Sequence, residues 1–374
     1  MTRVPDVLDP ADTSPRESRA LRDWLDLQRS LHIHPEDVSD LLGRSADPRS
    51  ALCALPGALP STPDALDAAV ADLRRVGAVA VPFGSPSYPP ALANLSDPAP
   101  LLLVRGDVAA LAGPSVAIVG SRAATAYGRA VARRLAADLA AEGLVVVSGL
   151  ALGIDAAAHR GALEAGGRTV AFQACGPDRV YPRIHRQLAE AIARRGAVVS
   201  EFPPGTPPLR PHFPLRNRLI SGVASTVVVV EARDRSGSLI TARHAADQGR
   251  DVYAVPGPIS APTSAGPNRL IRDGAGIVLG AAELLEELRR SGALPGRRAP
   301  RRGALGRLRE GAHRSLDGER GRILEALLHE PSTRDQLARH LERAPEQLAF
   351  DLLELEMEGR VAEDRDGRLR VVSL

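Results

Sequence analysis

Between residues 115 and 290 the chain alternates short, wholly apolar runs with longer stretches of helical period. The apolar runs are Val116–Val119, Leu144–Val147, Thr169–Phe172, Ala197–Ser200, Thr226–Val230, Val252–Val255 and Ile277–Leu279. Between them lie Arg129–Glu142, Ile154–Ala165, Ile184–Arg195 and Leu239–Gln248, each with apolar residues at three- and four-residue spacing. A strand with one wet face alternates apolar and polar positions. Runs such as Val227–Glu231 (VVVVE) and Leu144–Ser148 (LVVVS) do not alternate, so both faces are expected to be buried. The pattern predicts an α/β fold, an extended Rossmann-type, doubly wound parallel sheet with helices on both faces.

The flanks read differently. Residues 1–18 are rich in Pro, Asp, Ser and Thr and predict a disordered tail. Residues 20–75 carry a helical period through Leu21, Trp24, Leu25, Leu31, Leu41, Leu66, Val70 and Leu73, with turns at Pro56, Pro60 and Pro63. They predict a small helical domain. Residues 78–112 read as a connecting segment that leads into the sheet domain over 78–290. Residues 291–317 are dense in Arg, Gly and Pro and predict a basic linker. Residues 318–374 show three apolar-periodic stretches and then Asp366-Gly367 between two β-prone segments. Three helices and a hairpin predict a winged-helix module.

The 374 residues are 44% hydrophobic, enough for several domains and a sizeable core. Net charge is only +3, but there is no lysine, so all 48 basic side chains are arginine. Each basic contact is therefore a planar fork that keeps its charge at any working pH. A Schiff-base lysine and a P-loop lysine are excluded. Two cysteines make neither a disulfide framework nor a metal site, and the nine histidines form no HExxH pair. No metal or cofactor is expected. The first residues lack an apolar signal core and no run is long enough to span a membrane, so a cytoplasmic location is expected.

Candidate chemistry gathers where apolar runs end. Gly120-Ser121-Arg122 follows the first run and precedes a helix, a turn that aims backbone N–H groups and a guanidinium at an anion. Ser148–Asp155 follows the second run and places Gly149 and Gly153 for a further backbone cradle, with Asp155 at an expected N-cap. Arg216-Asn217-Arg218 puts two guanidinium groups and an amide in one short stretch before a strand, a cluster suited to adjacent phosphates or an acidic partner, with a solvated surface turn or an internal carboxylate pair as the alternative. Ser236 and Ser238 flank Gly237 at a helix start, another anion nest. His159 has no nucleophile at a usable spacing and reads as structural. Six of the ten aromatics fall in this middle region, and one or two are expected to serve as stacking platforms.

In order along the chain stand V-G-S-R-x-x-T-x-Y-G, S-G-L-A-L-G-I-D-x-x-A-H, Tyr181-Pro182, S-E-F-P-P-G-T, F-P-x-R-N-R, V-V-V-E-A-x-x-x-S-G-S-L-I-T-A, A-V-P-G and G-x-N-x-L-I-R-D-G-A. Together they resemble the DNA-processing protein A (DprA/Smf) family over roughly 115–280. The resemblance implies a SAM-like helical domain, the extended Rossmann domain and a winged helix in that order. It implies a recombination mediator that binds and protects single-stranded DNA and helps load the RecA recombinase past single-strand-binding protein, as in natural transformation. It also implies a homodimer and no enzymatic activity. Arg122 matches the family's pocket arginine, and Arg183 stands at a position after Tyr-Pro that is often basic.

Two other classes stay open on the residues alone. A nucleotide-hydrolysing Rossmann enzyme needs a carboxylate beside a phosphate site, and Asp155 and Glu231 are the candidates. A transcription regulator would act through the winged helix. However, residues 345–358 carry five acidic side chains, which favours a protein partner over duplex DNA.

Overall fold

The computed structural model describes residues 60–290 continuously. It also describes residues 4–58 except 5, 12, 13, 34–37, 46, 56 and 57, and within the C-terminal segment 322–324, 326–327, 332–341, 343, 348–349, 351–352, 355, 361–363 and 368–371. The predicted linker over 291–317 lies outside the described residues. The chain divides into two compact units, Met1–Gly296 and Arg297–Leu374.

In the first unit, helices α1 (Pro15–Ile33), α2 (Val38–Arg44), α3 (Pro48–Ala54) and α4 (Pro63–Val76) come first. Strand β1 (Ala78–Pro82), helix α5 (Pro90–Ala93) and strand β2 (Leu101–Gly106) follow. Then come β3 (Ser115–Val119), α6 (Ala126–Ala141), β4 (Val145–Ser148), α7 (Ile154–Glu164), β5 (Thr169–Phe172), α8 (Arg186–Arg195) and β6 (Ala197–Ser200). The unit ends with α9 (His212–Val223), β7 (Thr226–Val229), α10 (Gly237–Asp247), β8 (Asp251–Ala254), α11 (Ala265–Arg272), β9 (Gly276–Ile277) and α12 (Ala281–Arg290).

The strands form one sheet in the order β1-β2-β6-β5-β4-β3-β7-β8-β9. From β6 to β9 every pair is parallel, and β1 and β2 join antiparallel at one edge. The chain winds outward from β3 through β6, then returns to place β7 on the other side of β3. The two halves put their crossover helices on opposite faces. Helices α6, α7 and α12 cover Val116, Ile118, Val146 and Val228. Helices α9 and α10 cover Ala117, Val119, Val147, Val227 and Val229 on the other face. This is the doubly wound, Rossmann-type arrangement, and its direction of winding reverses between β3 and β7.

Two readings of the N-terminal region change. The described residues within 1–18 are tied down at Asp6 and Leu8 rather than loose. Leu8 is fully buried and exchanges two backbone hydrogen bonds with Ala80, at 2.8 and 2.9 Å. Asp6 accepts from the Ser87 N–H at 2.7 Å, and α1 starts at Pro15. Polar composition concealed a few apolar anchors, and these suffice to cover the sheet edge. The connecting segment over 78–112 is also part of the sheet. Leu101 and Leu103 of β2 share a core with Leu21, Trp24 and Leu73 of the helices, while Leu102 and Val104 face the other way.

In the second unit, a short helix (Arg334–His340) begins with a Thr333–Gln336 capping box. An antiparallel pair, β10 (Val361–Glu363) and β11 (Leu369–Val371), supplies the hairpin of a winged helix. Ile323, Leu327, Leu337, Leu352 and Leu369 form its core.

Candidate functional site

Ligands of open α/β sheets bind outside the carboxyl ends of the strands, where the winding reverses. A cavity of about 690 Å³ lies at that point, lined by residues from the ends of β3 and β7, by α9 and by the start of α10. Gly120, Ser121, Arg122, Arg216, Asn217, Ser236 and Ser238 all line it.

Arg216 forms the floor. Its side chain is buried, and one guanidinium nitrogen donates to the carbonyls of Gly149, at 2.7 Å, and Phe172. Burial draws its pKa down to about 10, against the pull of the nearby Asp155 carboxylate, while the neighbouring Arg122 charge lowers it further. Asp155 answers with the opposite shift. Burial raises its carboxyl above the usual carboxylate range, with Arg216 and the amides of Ala151 and Gly149 working against the rise. Arg122 is exposed at the rim, with its guanidinium carbon 4.8 Å from the centre of the Phe213 ring.

The glycines act differently from the sequence expectation. They were expected to let a ligand approach; the structure uses them to interlock three loops. A Cβ on Gly120 would lie 2.6 Å from the Ile154 side chain, and one on Gly149 would lie 2.8 Å from both Arg216 and Asp155. Gly153 has φ +78° and sits against the Ser121 carbonyl, where only glycine fits. The cradle expected over Ser148–Asp155 is filled from within. The Asp155 carboxylate accepts from the Gly149 and Ala151 N–H groups at 3.1 and 3.3 Å. Asp155 is not the N-cap of α7, since Gly153 holds that position.

The stretch Arg216-Asn217-Arg218 lies within α9, and its three side chains diverge rather than forming one cluster. Asn217 donates to the Gly237 carbonyl at 3.3 Å and ties α9 to the start of α10. Arg218 leaves the cavity altogether. It pairs with the buried Glu201 at 2.6 Å and with Asp97 at 2.8 Å, so its charge is spent inside the protein. Burial would lower its pKa, but Glu201 and Asp97 hold it above the ordinary value. Arg183 is exposed on a 3₁₀ turn after Pro182 and lines neither this cavity nor the notch beside it.

Two parts of the lining were not singled out from sequence. Arg233 and Arg235, both exposed, add cationic wall in the loop between β7 and α10. Phe213, with Ile220, Ile240 and Pro214, gives the cavity an apolar wall opposite. The spacing Arg233-x-Arg235 just before the Ser236 N-cap was the available signal. The remaining polar groups are structural. Glu231 accepts from the Thr125 N–H at 2.9 Å and hydroxyl at 2.6 Å, and Thr125 caps α6. The Thr169 hydroxyl donates to the Val146 carbonyl, so it accepts from His159 Nδ1 at 2.7 Å. Burial drives the His159 pKa to about 3, as the structural reading of this residue requires.

The fold and site together define a Rossmann-type protein with an arginine-floored pocket at its switch point. A sequence model of DNA recombination-mediator protein A matches residues 80–289, and one of the DprA winged helix domain matches 309–367. The chain belongs to this DprA/Smf family. It is 43% identical over 220 residues to the Bacillus subtilis DNA processing protein DprA, covering 59% of this chain and 74% of that protein. To the Escherichia coli protein Smf it is 46% identical over 209 residues, just over half of each chain. The Streptococcus pneumoniae DprA structure superposes with a TM-score of 0.58 at 32% identity, covering 74% of this chain and 98% of that one. A Helicobacter pylori DprA, whose structure is described for its single-stranded DNA binding mode, gives 0.51 at 32% identity over 55% and 94%.

Proposed function

We propose that this pocket grips single-stranded DNA by its sugar-phosphate chain, and that the protein acts as a recombination mediator. In this reading it covers unpaired strands and helps a RecA recombinase displace single-strand-binding protein, as in uptake of DNA by transformation. It works in the cytoplasm as a homodimer, without metal, cofactor or catalytic step. The RecA, dimer and location parts rest on family membership; the DNA part rests also on the pocket.

One observation carries the DNA reading: Arg122 and Arg216 line one cavity, where the Arg122 charge disfavours that of the buried Arg216. An anion between them relieves that repulsion, and Arg233, Arg235 and the α10 N-terminus extend the positive wall. Phosphate suits planar forks, and the apolar wall of Phe213, Ile220 and Ile240 suits bases that are not paired. The single-stranded DNA binding described for the Helicobacter protein supports the same reading. Acid–base chemistry finds little support, because the Asp155 and Glu231 carboxylates are both buried and already accept internal hydrogen bonds.

The test is fluorescence anisotropy with a labelled oligo-dT, comparing the parent with Arg122→Ala. Binding about tenfold or more weaker, from loss of a charged phosphate contact, is expected with an unchanged melting temperature. Equal affinity would refute the assignment. The mediator step is tested by RecA filament formation on oligo-dT precoated with single-strand-binding protein, which the parent is expected to accelerate.

A further inference from the structure

The apolar run of β7 gives way at Glu231, which is only 5% exposed. A buried carboxylate is tolerated where donors surround it. Thr125 supplies two. Its N–H donates to one carboxylate oxygen at 2.9 Å and its hydroxyl to the other at 2.6 Å. The Thr125 hydroxyl in turn accepts from the Gly128 N–H at 3.0 Å. Gly128 lies in the first turn of α6, where a Cβ would collide with this carboxylate. Glycine weakens a helix relative to alanine. Here that loss makes room for the Glu231 side chain.

The main chain of Glu231 works beside its side chain. Its carbonyl accepts from the Ser121 N–H at 2.6 Å. Ser121 and Thr125 are the two ends of the turn that carries Arg122. One residue therefore grips that turn at both ends, the near end through a carbonyl and the far end through a carboxylate. The anchor is itself fixed. The next residue, Ala232, donates to the Thr263 carbonyl at 2.8 Å and accepts from the Gly266 N–H at 2.9 Å. Glu231 thus stays in place whatever the loop bearing Arg233 and Arg235 does. It is not among the described residues that line the cavity, so any effect on a ligand passes through what it holds.

We propose that Glu231 is a positioning residue for phosphate binding: by holding Ser121 and Thr125 it sets the Arg122 turn, and it does so by the shape of its hydrogen bonds rather than by its charge. This rests on the single-stranded DNA reading above and adds to it the residue that prepares the rim arginine. A guanidinium on a loose turn would have to be ordered at the moment of binding, which lowers affinity. One on a clamped turn meets the phosphate with its fork already placed.

The experiment is a double-mutant cycle in the full chain, read by anisotropy of labelled oligo-dT at a temperature where each protein is folded. Glu231→Ala is expected to approach the roughly tenfold loss of Arg122→Ala, and the double variant to bind no more weakly than Arg122→Ala alone. Glu231→Gln can keep both Thr125 bonds if the hydroxyl turns from donor to acceptor, and should bind as the parent does. Losses that multiply to about a hundredfold in the double variant would mean general damage rather than an effect through Arg122, and would overturn the proposal. So would a Glu231→Gln protein whose affinity departs from the parent's in either direction. If Glu231→Ala does not fold, the same cycle with Thr125→Val, which removes the hydroxyl that the carboxylate holds, decides in its place. A parent that does not bind oligo-dT, or an Arg122→Ala protein that binds as tightly as the parent, overturns the DNA reading and this proposal with it.

Discussion

Each arginine of the site owes its role to where its charge is balanced. Arg122 is exposed and its guanidinium rests over the Phe213 ring, so a ligand can recruit it at little cost. Arg216 is buried and holds two backbone carbonyls. Arg218 is sealed against Glu201. Three different outcomes follow for the same substitution. Arg122→Ala should weaken DNA binding and leave stability intact. Arg216→Ala should weaken DNA binding and also destabilise the fold, since removing one partner of a buried charge pair costs about 3–5 kcal/mol. Arg218→Ala should destabilise the fold by breaking its buried pair with Glu201, with DNA affinity per folded molecule unchanged. Urea denaturation beside anisotropy separates them, and a loss of DNA affinity in folded Arg218→Ala would return that residue to the site. Sequence spacing could not separate these arginines. Arg216 and Arg218 are two residues apart on a helix, and neighbours at that spacing point to different faces.

At the scale of elements, the strands were legible because burial on both faces leaves an unbroken apolar run. Thr169–Phe172 and Ala197–Ser200 are the observed bounds of β5 and β6. Helix α9 was not legible. Pro214 falls in its first turn, where a missing N–H costs nothing, but in sequence it reads as a break. The buried Arg216 and Asn217 then made an inward-facing segment look like an exposed polar cluster. The interlocking of the Gly120, Gly149 and Gly153 loops was hidden for another reason: a glycine that admits a ligand and one that admits a neighbouring loop are the same letter. That packing predicts that Gly153→Ala is costly, by about 1–3 kcal/mol or more, because a Cβ there meets the Ser121 carbonyl and φ is positive. A melting temperature equal to that of the parent would contradict the interlock. Glu231 works on the same scale, since it holds the Thr125 cap that starts α6.

For the molecule as a whole, pH and salt report on different parts of the design. His159 is buried neutral, with a pKa near 3 against 6.5 when unfolded. Its contribution to stability is therefore complete above pH 6.5 and is lost as pH falls from there toward 3. Between pH 7.5 and 5.5 the loss is about 1.4 kcal/mol. Asp155, whose pKa is raised, acts in the opposite direction, in a window that opens upward from 3.8. Denaturation of His159→Asn should show that slope flattened by about the same amount; an unchanged slope would mean that the imidazole is not buried neutral. Salt addresses the pocket. Four guanidinium groups line it, those of Arg122, Arg216, Arg233 and Arg235. The most direct measurement is the dependence of oligo-dT affinity on salt for the parent and for Arg122→Ala. Four phosphate contacts predict a log–log slope of about −3, reduced in magnitude by about 0.7 in the variant. Binding insensitive to salt, or identical slopes in the two proteins, would show that DNA is not held by this rim of arginines.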